Sequence, residues 1–175
     1  FAAAATRLGA TIRTGTTVTA LATSGGMVNG VETEDGSIAA DFVVVAAGAW
    51  SDRLISSLGC TLPIQPMGLQ MIATTPLPLM LCPVVLAQMR KLSLKQVPSG
   101  NFIIGGGWAG DVDMDRRVAT PRLNSITGSL FDSSIIYPPL KRTAVERVWY
   151  GIEALAGDEV PILGRLPSID GLVVA

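Results

Sequence analysis

The sequence predicts an α+β chain: part of an α/β layer joined to an antiparallel sheet with a covering helix. Three observations predict it. The all-apolar run Phe42-Val43-Val44-Val45-Ala46-Ala47 passes through Gly48 into a helical segment at 49–58. A strand apolar on both faces marks a buried parallel sheet. Asp35-Gly36 separates two strand-like runs, 27–33 and 37–45, as a tight hairpin turn does. From Leu62 onward long apolar strands dominate, at 69–74, 92–97 and 102–104, before one helical stretch near Leu123.

The elements follow in order. Residues 2–8 are alanine-rich and favour a helix, with Gly9 placed to end it. Short β-branched runs at 11–13 and 16–21 read as strands, ahead of the hairpin. In the helix at 49–58, Ser51 and Asp52 lie near the start and Gly59 follows the end. Thr120-Pro121 reads as an N-cap followed by proline at the first helical position. Leu123, Ile126, Leu130 and Phe131 then fall at helical spacing on one face, which is expected to be the buried one. That helix should stop before Pro138-Pro139. Residues 142–152 read as a strand, and 171–175 as one more buried strand.

Composition narrows the function. The chain has 175 residues, 49% apolar and 15% charged, which supports a sizeable core and excludes a disordered chain. Lys plus Arg number 13 against 14 for Asp plus Glu, so there is no electrostatic footprint for nucleic acid or anionic lipid. With no histidine, this chain contains no Ser-His-Asp triad, no His-ligated zinc and no imidazole shuttle. Cys60 and Cys82 form no CxxC; a reduced compartment, the cytoplasm, is the expected location. The stretch between Arg53 and Arg90 carries no formal charge, but Pro63, Pro66, Pro76, Pro78 and Pro83 interrupt it. A membrane helix needs about 20 continuous apolar residues. The opening Phe1-Ala2-Ala3-Ala4-Ala5 has no basic leader and reads as mid-protein sequence, and the ending Leu172-Val173-Val174-Ala175 is abrupt; a piece of a longer protein, without a signal peptide, is expected.

Four motifs carry chemistry or imitate it. Gly105-Gly106-Gly107-Trp108-Ala109-Gly110 contains G-x-G-x-x-G. A dinucleotide fingerprint, however, needs a helix N-terminus next. Here Asp111, Asp113 and Asp115 follow and would repel phosphate. The better reading is a glycine-rich strand end that lets a ligand approach, with Trp108 as pocket wall or core. The three aspartates lack the glycine and glutamate of a calcium loop, so a solvated loop partly neutralised by Arg116 and Arg117 is expected, and no metal site. Ala46-Ala47-Gly48-Ala49-Trp50-Ser51 reads equally well as a tight packing turn or as a small-residue seat for a planar cofactor. Glu153, closing the apolar run Val148-Trp149-Tyr150-Gly151-Ile152, is either solvated, which the residues alone favour, or faces a substrate ammonium.

These pieces, in this order, resemble one family. Ala4-Ala5-Thr6-Arg7-Leu8-Gly9-Ala10 followed by Gly15-Thr16-Thr17-Val18 resembles its "A…LGA…G…V" stretch. Residues 29–36 are similar to its "v.GV.T..G" hairpin, and residues 41–51 to its "aD.VV.AAGAWS" motif. Pro63-Ile64-Gln65-Pro66 resembles its "lPi.P" crossover. Trp149 to Glu153, with Asp158 and Pro161-Ile162-Leu163-Gly164, resembles "W.G.E…D..P..G", and 170–175 the final "pGl..a" strand. The family is that of the D-amino-acid-oxidase-like flavoproteins, which includes glycine oxidase, sarcosine oxidase and D-amino-acid dehydrogenases. Gly105-Gly106-Gly107-Trp108 and Gly151-Ile152-Glu153 are most similar to the catalytic subunits of opine, hydroxyproline and cyanide-forming glycine dehydrogenases.

The resemblance implies a bound FAD and oxidation of the C–N bond of an amino acid or N-substituted amino acid to an imine. It places the cofactor against Val18, Ala47, Gly48 and Trp50, and the substrate near Trp108 and Glu153; no catalytic residue is assigned. It divides the chain into residues 1–58 and 158–175 of an FAD-binding domain and 59–157 of a substrate-binding antiparallel sheet. The family's own G-x-G-x-x-G and its flavin-covering segment are not in this chain, so the chain alone is expected to bind FAD weakly or not at all and to be inactive. Glycine-oxidase-type members carry a carboxylate-binding arginine where this chain has Glu153, which matches the opine-type subgroup better and implies either a more cationic substrate or another arginine in that role. Implied partners are a small amine or amino-acid substrate, the remaining parts of the same protein, and further subunits in a homo- or hetero-oligomer. The alternatives are a non-catalytic module of the same fold and an oxidoreductase of 2-hydroxy acids.

Overall fold

Asp35-Gly36 turns the chain between β2 (Met27–Thr33) and β3 (Gly36–Ala39), which pair antiparallel with Thr33 opposite Gly36. With β1 (Val18–Ser24) they form a three-stranded sheet in the order β1-β2-β3. Leu21 and Val28 supply its buried side. The computed structural model describes residues 1–175, the side chain of Gln88 excepted. The chain divides into two compact units, Phe1–Pro63 with Asp158–Ala175, and Ile64–Gly157.

In the first unit the run 37–45 does not stay in one sheet. β3 ends at Ala39, and β4 (Val43–Val45) joins β12 (Gly164–Arg165) and β13 (Leu172–Val174) in the order β12-β13-β4. β4 and β13 are parallel, as Leu172 opposite Val43 and Val174 opposite Val45 show. The Val43 N–H donates to the Gly171 carbonyl at 2.8 Å and starts the pairing. β4 is buried on one face only. Val43 and Val45 point inward, whereas Phe42 and Val44 are 63% and 60% exposed. The expected two-sided burial is therefore corrected. Residues 11–13 form no strand and α1 (Ala2–Arg7) buries nothing. A 3-10 turn at Gly48–Trp50 leads into α2 (Ser51–Ser56), anchored by fully buried Ile55. Residues 59–63 stay with this unit. Buried Leu62 donates its N–H to Asp52 Oδ1 at 2.6 Å, which ties the segment to α2.

The second unit is built on β5 (Ile64–Thr74). β11 (Val145–Ala156) runs antiparallel along one side of it. On the other side β8 (Phe102–Gly105) pairs with Ile72 and Ala73, and β9 (Ala109–Asp113) with Gly68 and Leu69. β7 (Leu92–Gln96), β6 (Val85–Ala87) and β10 (Val118–Thr120) complete a seven-stranded sheet. α3 (Leu123–Ile136) packs on one face of it, over a core of Ile72, Leu92, Leu94, Phe102, Ile104 and Leu140. Strand alternation puts Gly68, Gln70, Ile72 and Thr74 on that buried face. Met67, Leu69, Met71 and Ala73 lie on the opposite one, half-buried.

α3 corrects two expectations. Thr120 belongs to β10, paired with Asp111, and the helix begins at Leu123 after an extended Arg122. The helix also turns Ser125, Ser129 and Ser133 to the sheet; of the four apolar residues Ile126 and Leu130 pack against the core, whereas Leu123 and Phe131 are 76% and 63% exposed. Close approach explains this. The Trp108 indole lies so near Gly128 that a Cβ there would overlap it, and Ser125 Oγ donates to the Ala109 carbonyl at 2.6 Å. Serines fit that gap, and leucines do not. The strand expected at 142–152, β11, also begins later, at Val145, because Pro138–Arg142 is a 3-10 turn.

Candidate functional site

The Ala46-to-Ser51 turn stands at the carboxyl end of β4, in a sheet whose β4–β13 pair is parallel. In open α/β sheets that end is where ligands approach. Gly48 has φ +53, and a Cβ built on it would meet nothing within 4 Å. Ala46 and Gly48 are exposed and Ala47 is half-buried. The turn is held from behind: the Ala47 N–H donates to Ser51 Oγ at 3.1 Å and the Trp50 N–H to the Ala47 carbonyl at 3.1 Å. Trp50, half-buried, caps α2, and α2 packs on β1, whose first residue is Val18. The open backbone at Gly48, with small Ala46 and Ala47 before it and the exposed Phe42–Val44 face beside it, leaves room for a large planar group such as a flavin nucleotide. The residues that would hold it are Val18, Ala47, Gly48 and Trp50.

In the second unit, β11 has two chemically different faces. Val148 and Tyr150 point to α3. The Tyr150 hydroxyl donates to Gln70 Oε1 at 2.8 Å, and Gln70 Nε2 donates to the Ser125 carbonyl at 2.7 Å. Burial pushes the Tyr150 phenol up, the backbone hydrogen bond at Arg122 opposing this in part, so at neutral pH it remains a donor. Tyr150→Phe is expected to cost about 1–2 kcal/mol, because Gln70 is 1% exposed and its oxygen would lose its donor. A thermal melt of the variant checks this.

On the opposite face lie Arg147, Trp149, Gly151 and Glu153, paired with Ala73, Met71, Leu69 and Met67. The Arg147 guanidinium sits over the Trp149 ring, 5.7 Å from its centroid. Glu153 is exposed. This face is an apolar floor with a cation at one end and a carboxylate at the other.

Trp108 and Glu153 are on opposite faces of the sheet. Trp108 packs under α3, its Nε1–H donating to Asp132 Oδ2 at 3.2 Å. Asp132 also binds Arg90 at 3.3 Å. These three residues, with Met89 and Lys91, line an open cleft of about 520 Å3. At Gly105, Gly106 and Gly110 the chain itself takes the space a side chain would need, whereas Gly107 is open apart from Lys91. A Cβ on Gly105 would meet the Met71 sulfur, and one on Gly106 the Lys91 and Leu92 backbone. The three aspartates of the acidic loop are exposed, and Asp111 pairs with Arg122 rather than with Arg116 or Arg117, while Asp113 Oδ1 accepts the N–H groups of Asp115 and Arg116. The Arg122 hydrogen bond holds the Asp111 carboxyl below the usual carboxylate range, so this pairing is present at neutral pH and lost as pH falls through that lowered value. Both groups are exposed and screened. Sequence reading took Trp149 and Gly151 only as parts of a family motif and gave Arg147 no role; their period-two spacing with Glu153 was the available signal for a shared face.

Comparison with known proteins identifies the family. The family model "DAO: FAD dependent oxidoreductase" matches residues 1–175. The chain is 31% identical over 174 residues to sarcosine oxidase subunit beta of Rhodobacter capsulatus, covering 99% of the chain and 41% of that protein. It is 32% identical over 147 residues to glycine oxidase of Pseudomonas putida, covering 84% of the chain and 39% of that protein. Among solved structures, L-proline dehydrogenase from P. horikoshii superposes with a TM-score of 0.89 at 26% identity, covering 99% of the chain and 47% of that chain. The chain thus spans about two fifths of the length of the curated relatives it matches. Among the described residues no helix is long and apolar enough to cross a membrane. The chain belongs to the family of FAD-dependent oxidoreductases typified by the glycine and sarcosine oxidases.

Proposed function

We propose that the first unit is part of an FAD-binding domain and the second a substrate-binding domain of an enzyme that oxidises the C–N bond of an amino acid or N-substituted amino acid. The observation that carries this reading is the bare Gly48 turn at the carboxyl end of a parallel strand, in a chain whose whole length matches the family model. FAD, when bound, supplies the hydride acceptor. The chain's own residues do the rest. Val18, Ala47, Gly48 and Trp50 present backbone and small side chains to the cofactor. The Trp149–Met71–Leu69 floor excludes water and positions the substrate. The carbon loses a hydride, the nitrogen loses a proton to solvent, and the product is an imine.

The relative named sarcosine oxidase subunit beta supports a second proposal, that this protein assembles with other subunits. The test of function is anaerobic mixing of the full-length protein with primary and secondary amino acids and, separately, with 2-hydroxy acids. Bleaching of the flavin band by the amino acids alone is expected. Bleaching by hydroxy acids alone would replace C–N with C–O oxidation, and no bleaching by either would support a non-catalytic module.

A further inference from the structure

Gly151 lies in the middle of β11, a twelve-residue strand whose other members are mostly large. Glycine weakens a strand interior, and where one persists it serves a bulge, an unusual backbone angle or a close approach. The structure removes the first two reasons. Pairing with β5 runs without a shift from Arg147 to Ala156, and Gly151 is absent from the glycines with positive φ. Among the described residues none approaches it either, since a Cβ on Gly151 would meet nothing within 4 Å. Its neighbours in the sheet behave differently. A Cβ on Gly68 would press on Ala119, one on Gly105 on Met71, and one on Gly110 on Tyr150. Gly105 shares the face without a helix, where Met71 covers it, and Gly151 alone among these four is left uncovered by the described residues.

Two residues away on either side, on that same face, stand Trp149 and Glu153, with Leu69 directly opposite Gly151. Together they outline a notch: a glycine floor, an indole wall and a carboxylate wall. Glu153 has no ion-pair partner among the described residues. We propose that Gly151 is the floor of a substrate notch and that Glu153 selects its occupant, a substrate carrying a second cationic group beyond the reacting C–N bond. The proposal rests on the reading of the second unit as the substrate-binding domain. It names the class of substrate which that unit takes.

The test uses the full-length protein with its flavin reduced by dithionite, so that binding is read by calorimetry without turnover. The probes are DL-lysine and DL-norleucine, equal in length and different in the terminal ammonium. Wild type is expected to bind lysine at least about tenfold more tightly, as suits a charged pair in a partly desolvated notch. Glu153→Gln should bring lysine down to the norleucine level and leave norleucine unchanged. Gly151→Val should weaken both by about tenfold or more while keeping or raising the melting temperature, because valine is the better strand residue and its side chain enters open space. Equal binding of the two probes by wild type would overturn the proposal. So would Gly151→Val binding lysine within about twofold of wild type, or Glu153→Gln leaving the preference intact. Failure of the underlying reading shows separately, as oxidised flavin that no amine reduces.

Discussion

Phe102→Ala is expected to destabilise the second unit by about 3–5 kcal/mol, while Phe131→Ala changes stability by no more than about 0.5 kcal/mol. The two residues are chemically identical and both lie in regular elements. Phe102 is fully buried between β8 and its neighbours, in the cluster with Ile72, Leu92, Leu94 and Ile104, and its ring stands 5.5 Å from that of Tyr137. Removing it deletes a large side chain and leaves a cavity that close-packed strands cannot fill by relaxing. Phe131 is 63% exposed on the outer side of α3. Urea unfolding of the two variants separates them. Equal costs would mean that α3 turns its Leu123–Phe131 side inward, contrary to the serine-lined contact described above.

Gly171→Val is expected to cost the first unit about 2–4 kcal/mol, from a left-handed backbone that valine resists and from overpacking. Gly171 has φ +77, and a Cβ there would overlap the Val28 carbonyl oxygen. The glycine lets three strands meet. The Val28 N–H donates to the Asp170 carbonyl at 2.9 Å, and the Val43 N–H donates to the Gly171 carbonyl at 2.8 Å. Displacing this point loosens the parallel β4–β13 pair from which the Gly48 turn projects. Hydrogen exchange is the direct readout: the Val43 amide should lose protection in the variant, whereas the Leu94 amide in the second unit should keep it. Retained protection at Val43 would show that the crossing tolerates a side chain.

What the sequence disclosed and what it hid follow one physical division. The Asp35-Gly36 hairpin, the apolar strands and the Ala47-Gly48 turn were legible because short-range backbone chemistry determines them. The orientation of α3 was not. Leucine, isoleucine and phenylalanine lie on both sides of that helix, and the decision rests on how closely Gly128 and Ser125 let it approach Trp108 and Ala109. The split of 37–45 between two sheets was hidden for a similar reason. Its cause is a hydrogen bond from Val43 to Gly171, far along the chain. In the site, Gly48 and Glu153 stood out as a bare turn and a stray carboxylate. The notch around Gly151 did not, because Val148-Trp149-Tyr150-Gly151-Ile152 is apolar on both faces. Only the Tyr150–Gln70–Ser125 hydrogen bonds reveal which face turns inward.

The role of the Gly48 turn is tested most directly by flavin content. Full-length protein and its Gly48→Val variant are purified in parallel and their absorbance near about 450 nm, where oxidised flavin absorbs, is compared with protein concentration. The wild type is expected to carry close to one flavin per chain, and the variant, in which valine both fills the open turn and resists its left-handed backbone, to lose most of it while the Val43 and Ala175 amides of the same unit keep their exchange protection. A colourless wild type, or a variant as yellow as its parent, would contradict the assignment of this turn to the cofactor.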